Sequence, residues 1–169
     1  MDSLAGETGG PPSRELFLRL RRRGLTLAFA ESLTAGNLTA EMVAWPGVSS
    51  VLLGGVTAYA NGVKTRVLGV GEDTLERHGA VSLQTVTEMV RGLHRLMGAD
   101  VQAAVSGIAG PDGGSPEKPV GLVHMAFLVS GHLVAEHRVF PGDRRQIIRG
   151  CVDHVMTRLL ELVSGETVD

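Results

Sequence analysis

The amino-acid sequence predicts an α/β domain, a three-layer α/β/α sandwich around a mixed, mostly parallel sheet. Three observations carry this. Apolar runs too short for helices, at 27–30, 51–60 and 101–110, alternate with segments whose apolar residues recur at helical spacing, as strands and crossover helices do. The third run, "VQAAVSGIAG", is built of small apolar residues that suit burial on both faces of a sheet. Two later runs, "VGLVHMAFLVS" and "LVAEHRVF", are joined by a Gly131-His132 turn and read as an antiparallel hairpin, which makes the sheet mixed.

In chain order, residues 1–12 are polar, rich in Gly and Pro and without periodicity, and read as a disordered lead-in. A single domain is expected over 13–164, followed by a flexible tail at 165–169. Ser13 is placed to cap a first helix with Leu16, Phe17 and Leu20 on its inner face, and Gly24 to end it. Arg19, Arg21, Arg22 and Arg23 complement that helix's C-terminus and read as a solvated end. The run 27–30 passes through the junction 31–36 into a helix from Asn37, marked by Leu38, Met42, Val43 and Trp45. "WPGVSS" is a turn, and the glycines of the strand that follows mark close packing.

Asn61 is expected to cap a short helix containing Lys64. Glu72 or Asp73 starts another that ends at Gly79. Ser82 begins a longer one whose apolar face is Val86, Met89, Val90, Leu93, Leu96 and Met97. After the third strand, "SGIAGPDGGSPEKP" is longer than ordinary connections in compact domains, which marks it as functional. A last helix over 143–163 is capped by Asp143 and turns Ile147, Cys151, Val155 and Leu159 inward.

Composition narrows the function classes. The net charge of −2 and an aromatic content of 4% argue against a nucleic-acid binder, which needs a basic face or stacking platforms. No apolar run approaches membrane-spanning length and no signal peptide is evident, so a cytoplasmic location is expected. Cys151 has no second cysteine to pair with and reads as a buried structural thiol.

Chemistry concentrates at the 31–36 junction, where a strand-to-helix turn in an α/β protein sets its side chains at the carboxyl edge of the sheet. Ser32 is the candidate nucleophile there. On local pattern alone, capping by Ser32 or Thr34 is the commoner role for such residues. The glycines at 107, 110, 113 and 114 fit neither a dinucleotide fingerprint nor a P-loop, and a strand follows them instead of a helix. Their backbone can still cradle an anion as a nest. The six histidines show no metalloprotease spacing, so metal is not expected, and their spacing alone leaves a Ser-His-Asp triad open. A neutral, desolvated lysine activates a serine without histidine. Lys64 follows the second strand in "YANGVK", so if the first two strands are neighbours, Ser32, Tyr59 and Lys64 converge at one sheet edge.

Taken in order, "AESLTAG", "TAYANGVK", "HGAVS", "SGIAGPDGGSPEKPVGLV" and "FPGDRRQIIR" resemble the C-terminal domain family of the competence/damage-inducible protein CinA, which also occurs alone as nicotinamide-nucleotide amidase (PncC). The resemblance implies hydrolysis of nicotinamide mononucleotide to nicotinic acid mononucleotide and ammonia, in pyridine-nucleotide salvage. It implies no cofactor or metal, and a homodimer or higher homo-oligomer. Position by position it makes Ser32, Tyr59 and Lys64 the catalytic set, with Ser32 attacking, Lys64 taking its proton and Tyr59 positioning or relaying it. Helix N–H groups after Ser32 would steady the oxyanion, and Glu31 would orient the turn. Thr34, Gly36, Asn61, Ser106, Gly107, Ile108, Ala109, Gly110 and Arg144 fall on segments that the resemblance sets along the pocket. Arg144, Arg149 or the 107–110 backbone are the candidates for the phosphate. Three positions depart from the family's usual pattern: Leu33 stands for a cysteine, Ala35 for a glycine, and Ile148 where an arginine is expected. Those departures keep a non-catalytic nucleotide-sensing or partner-binding domain as the alternative.

Overall fold

The computed structural model describes residues 10–165, so most of the lead-in and most of the tail lie outside the described residues. Five strands, β1 (Leu27–Glu31), β2 (Leu52–Thr57), β3 (Val101–Gly107), β4 (Leu122–Val129) and β5 (His132–Val139), form one sheet in the order β2-β1-β3-β4-β5. β1 pairs in parallel with both β2 and β3, whereas β4 is antiparallel to β3 and to β5. Only β4 therefore runs against the other four. The sheet is mixed with most strands pointing one way, as the sequence predicts.

Helices cover both faces. α1 (Pro12–Arg23), α2 (Asn37–Val43) and α6 (Arg144–Ser164) lie on one side. Here Leu16, Phe17 and Leu20 of α1 and Cys151, Val155 and Leu159 of α6 pack on Phe29, Phe127 and Met125 of the sheet. α3 (Asn61–Leu68), α4 (Glu72–His78) and α5 (Leu83–Met97) lie on the other. Val86, Met89, Val90 and Leu93 of α5 pack there on Ala28, Ala30, Ala104 and Ala126. Consecutive β1 residues thus serve opposite cores, which is why that run is continuously apolar. The alanines let α5 sit close to the sheet. Gly92 lets it sit close to α3: a Cβ there would fall 1.7 Å from the Leu68 carbonyl oxygen.

Several local expectations change. Ser13 lies inside α1, which starts at Pro12, where proline's missing N–H costs nothing; its buried hydroxyl donates to Glu41 instead. Asn61 is the first residue of α3 and not its cap; Ala60 takes that position without a side-chain bond. The hairpin turns at Ser130-Gly131, both with positive φ, one residue before the expected pair. Val43 and Leu96 are exposed, each in the last turn of its helix. The cap assignments of Ser82 and Asp143 hold, the latter as a full capping box with Gln146.

The topology sets up one crevice. In register, Glu31 of β1 lies beside Thr57 of β2 and Val105 of β3, so Ser32 and Ala58 leave the sheet together at its carboxyl edge, next to Ser106, which is still paired with His124 of β4.

Candidate active site

Glu31 closes β1 and decides the shape of the turn after it. One carboxylate oxygen accepts from the N–H of Gly36 and Leu38, at 3.0 Å each, and the other from the N–H and hydroxyl of Thr39, at 2.9 and 2.8 Å. The N-terminus of α2 is therefore capped from outside by a buried glutamate, which orients the turn as expected. Two expectations give way. Neither Ser32 nor Thr34 caps the helix, and the helix N–H groups expected at the oxyanion are spent on Glu31. The N–H groups of Leu33 and Thr34 are not engaged in any hydrogen bond among the described residues. Burial first, and the charge of Glu31 second, push the Cys151 thiol pKa up to about 12, so Cys151 is an inert core residue.

Lys64 enters from α3. It is 1% exposed, Ser32 is 8% exposed, and Lys64 Nζ lies 3.0 Å from Ser32 Oγ. Its other two bonds go to the carbonyls of Ala58, at 2.8 Å, and Tyr59, at 2.9 Å. The β2–α3 connection thus grips the amine it delivers. Burial lowers the Lys64 pKa from the ordinary 10.5, which increases the fraction of neutral amine able to take a proton.

The cavity over this pair has a volume of about 190 Å³. Leu33, Ala80, Val81 and Ala109 give it an apolar side; Ser106, Gly107, Tyr59 and Arg144 complete it. Tyr59 touches Lys64 through its carbonyl and not its hydroxyl. Its ring is 58% exposed, and its hydroxyl accepts from Arg144 at 3.2 Å, at the cavity mouth. A proton relay through the Tyr59 phenol is therefore not built into this arrangement. Arg144 also donates to the Gly110 carbonyl, at 2.8 Å, tying α6 to the long loop. Ser106 donates to the Ala80 carbonyl at 2.7 Å. Ile108 exchanges hydrogen bonds with 121–122 at the base of that loop and does not line the cavity.

Thr34 is fully buried behind the turn, and Gly36, at φ 98°, supplies the bend into α2. Two of the sequence's candidates lie elsewhere. Asn61 lines a separate depression with Arg66 and Glu72. Arg149 pairs with Glu41 and Asp153 in a cleft of about 470 Å³ between α2 and α6. Ala80 and Val81 were missed by sequence reasoning. They are ordinary residues between α4 and α5, and only the fold brings them to Ser32. Among the described residues, no three His, Cys, Asp or Glu side chains are grouped to hold a metal ion, and no helix is long and apolar enough to cross a membrane.

The family model of the CinA C-terminal domain matches residues 11–163. The chain belongs to the CinA C-terminal domain family. A CinA-like protein of Synechococcus sp. (strain CC9311) is 57% identical over 132 residues, and one of Thermotoga sp. (strain RQ2) is 51% identical over 128. These alignments cover 78% and 76% of this chain but 31% of each relative, so the CinA domain described here spans about a third of their length. Among solved structures, competence damage-inducible protein A (ComA) from Klebsiella pneumoniae superposes with a TM-score of 0.89 at 35% identity, covering 92% of this chain and 97% of that one. The competence/damage inducible protein CihA from Agrobacterium tumefaciens gives 0.84 at 36% identity, covering 93% and 99%.

Within this CinA domain the three departures from the usual pattern separate. Leu33 is buried in the core and lines the cavity beside Ser32. Ala35 adopts φ 47°, the left-handed conformation that the usual glycine takes without strain. Ile148 lines the α2–α6 cleft, away from Ser32.

Proposed function

We propose that this CinA domain is a Ser-Lys amidohydrolase that converts nicotinamide mononucleotide and water to nicotinic acid mononucleotide and ammonia. The observation that carries the reading is the buried contact of 3.0 Å between Lys64 Nζ and Ser32 Oγ. Neutral Lys64 takes the Ser32 proton as Oγ attacks the carboxamide carbon, and the carbonyl electrons move onto oxygen. Lys64 returns the proton to the departing nitrogen, releasing ammonia and leaving the acyl group on Ser32. Water then attacks the acyl carbon as Lys64 takes its proton, the bond to Ser32 Oγ breaks as Lys64 passes that proton to Oγ, and the acid product leaves and ionises. The N–H groups of Leu33 and Thr34 are the candidate oxyanion donors in place of those held by Glu31.

The cavity is smaller than the roughly 300–1,000 Å³ of pockets that enclose whole drug-sized ligands. It suits a flat carboxamide ring between Leu33, Ala80 and Val81, with the ribose and phosphate outside it at Arg144. Cytoplasmic location and a homo-oligomeric assembly belong to the same reading. Leu33, which lines the cavity where the usual pattern has a cysteine, favours as the second reading a domain that binds a pyridine nucleotide without turning it over.

Ammonia and nicotinic acid mononucleotide measured from nicotinamide mononucleotide test the proposal, with Ser32→Ala and Lys64→Ala as controls. Stoichiometric products lost in both variants support the amidase. Binding without turnover by the folded wild type selects the second reading, and equal rates across a panel of small amides would widen the substrate class.

A further inference from the structure

The connection between α4 and α5 supplies Ala80 and Val81 to the Ser32 cavity, and it carries no charged side chain of its own. Four consecutive carbonyls, from His78 at the end of α4 to Val81, accept from side chains. Ser82 and Thr85 hydroxyls donate to Gly79, at 3.0 and 2.8 Å, and Ser106 donates to Ala80. Lys118 Nζ holds the other two, donating to the carbonyls of His78, at 2.7 Å, and Val81, at 2.8 Å.

Lys118 sits in the long β3–β4 loop, 40 and 37 residues from those partners. Its own backbone is fixed by a closed turn, its N–H donating to the Ser115 hydroxyl and its carbonyl accepting from the Ser115 N–H. The ammonium passes so close to Gly79 that a Cβ there would lie 3.2 Å from Nζ. A cation at the carbonyl end of α4 is also favoured by the helix dipole. Lys118 does not line the cavity, but it braces the wall that does.

We propose that Lys118 is a positioning residue for the candidate active site: by bridging the His78 and Val81 carbonyls it holds the Ala80–Val81 wall against a bound ring. The proposal rests on reading Ser32 and Lys64 as an acyl-transfer pair. It predicts a selective effect, because the wall touches the ring and the pair touches the reacting atoms.

The test labels Ser32 with a methyl fluorophosphonate and with an aryl-bearing one, in wild type, Lys118→Met and Lys118→Arg. In Lys118→Met the ratio of aryl to methyl labelling rates should fall about tenfold, with methyl labelling within about twofold of wild type, as expected for losing binding to the ring and not chemistry. KM for nicotinamide mononucleotide should rise with kcat held, and Lys118→Arg should recover most of both effects. An unchanged ratio, equal slowing of both probes, or no recovery by arginine would overturn the proposal. If Lys118→Met does not fold, Lys118→Gln is judged by the same ratio. Labelling of Ser32 without turnover of the nucleotide removes the substrate assignment and still decides Lys118; no labelling of folded wild type by either probe removes both.

Discussion

Lys64 Nζ lies 2.8 Å from the carbonyl oxygen of Ala58, the residue that leaves β2 beside the end of β1. This contact works against burial. Two carbonyl acceptors favour the ammonium, while desolvation favours the neutral amine and prevails, so the pKa is lowered from 10.5.

The activity should therefore rise with pH through an acid limb set by Lys64, at a pH below the ordinary lysine value of 10.5. A pH profile of kcat/KM checks this; a limb at or above that value would show that burial does not free the amine.

Stability carries the same sign. Between the lowered folded pKa and 10.5 the unfolded chain binds more protons at Lys64, so this residue's contribution to stability increases as pH rises through that window. Wild type should gain on Lys64→Met in denaturant melts as pH is raised, and Lys64→Met should lose about 10³-fold or more in activity.

Glu31→Gln should destabilise the fold by about 2–3 kcal/mol, because an amide at this site loses charge-assisted bonds and turns donors toward the N–H groups of α2. Urea unfolding measures the loss. An effect under about 0.5 kcal/mol would mean that Glu31 does not hold the turn.

Ala35→Gly should stabilise by about 0.5–1 kcal/mol, as relief of the left-handed alanine outweighs the greater freedom of glycine in the unfolded chain. The thermal midpoint should rise by about 1–4 °C. A lower midpoint would show that the turn tolerates alanine without strain.

Arg144→Ala should raise KM for the nucleotide about tenfold or more, since Arg144 bridges Tyr59 and Gly110 at the cavity mouth. Arg149→Ala should leave KM within about twofold, because its partners are Glu41 and Asp153 in another cleft. The reverse ranking would relocate the anion site to the α2–α6 cleft.

Periodicity and composition determined much of this protein. The alternation of short apolar runs with helical faces gave five strands and covering helices, and the cap residues Ser82 and Asp143 were readable because a cap is a contact over a few neighbouring residues. Ser32, Tyr59 and Lys64 stood out by residue type and by family resemblance. Only the tertiary structure decided how they meet. Lys64 reaches Ser32 across 32 residues because β1 and β2 pair in parallel, a non-local choice that no window of sequence contains. The same holds for Glu31 capping a helix from outside it, for Arg149 falling in a different cleft from Arg144, and for Lys118 bracing Ala80 and Val81. Such contacts join residues far apart in the chain, and their free energy exists only after the sheet has brought them together.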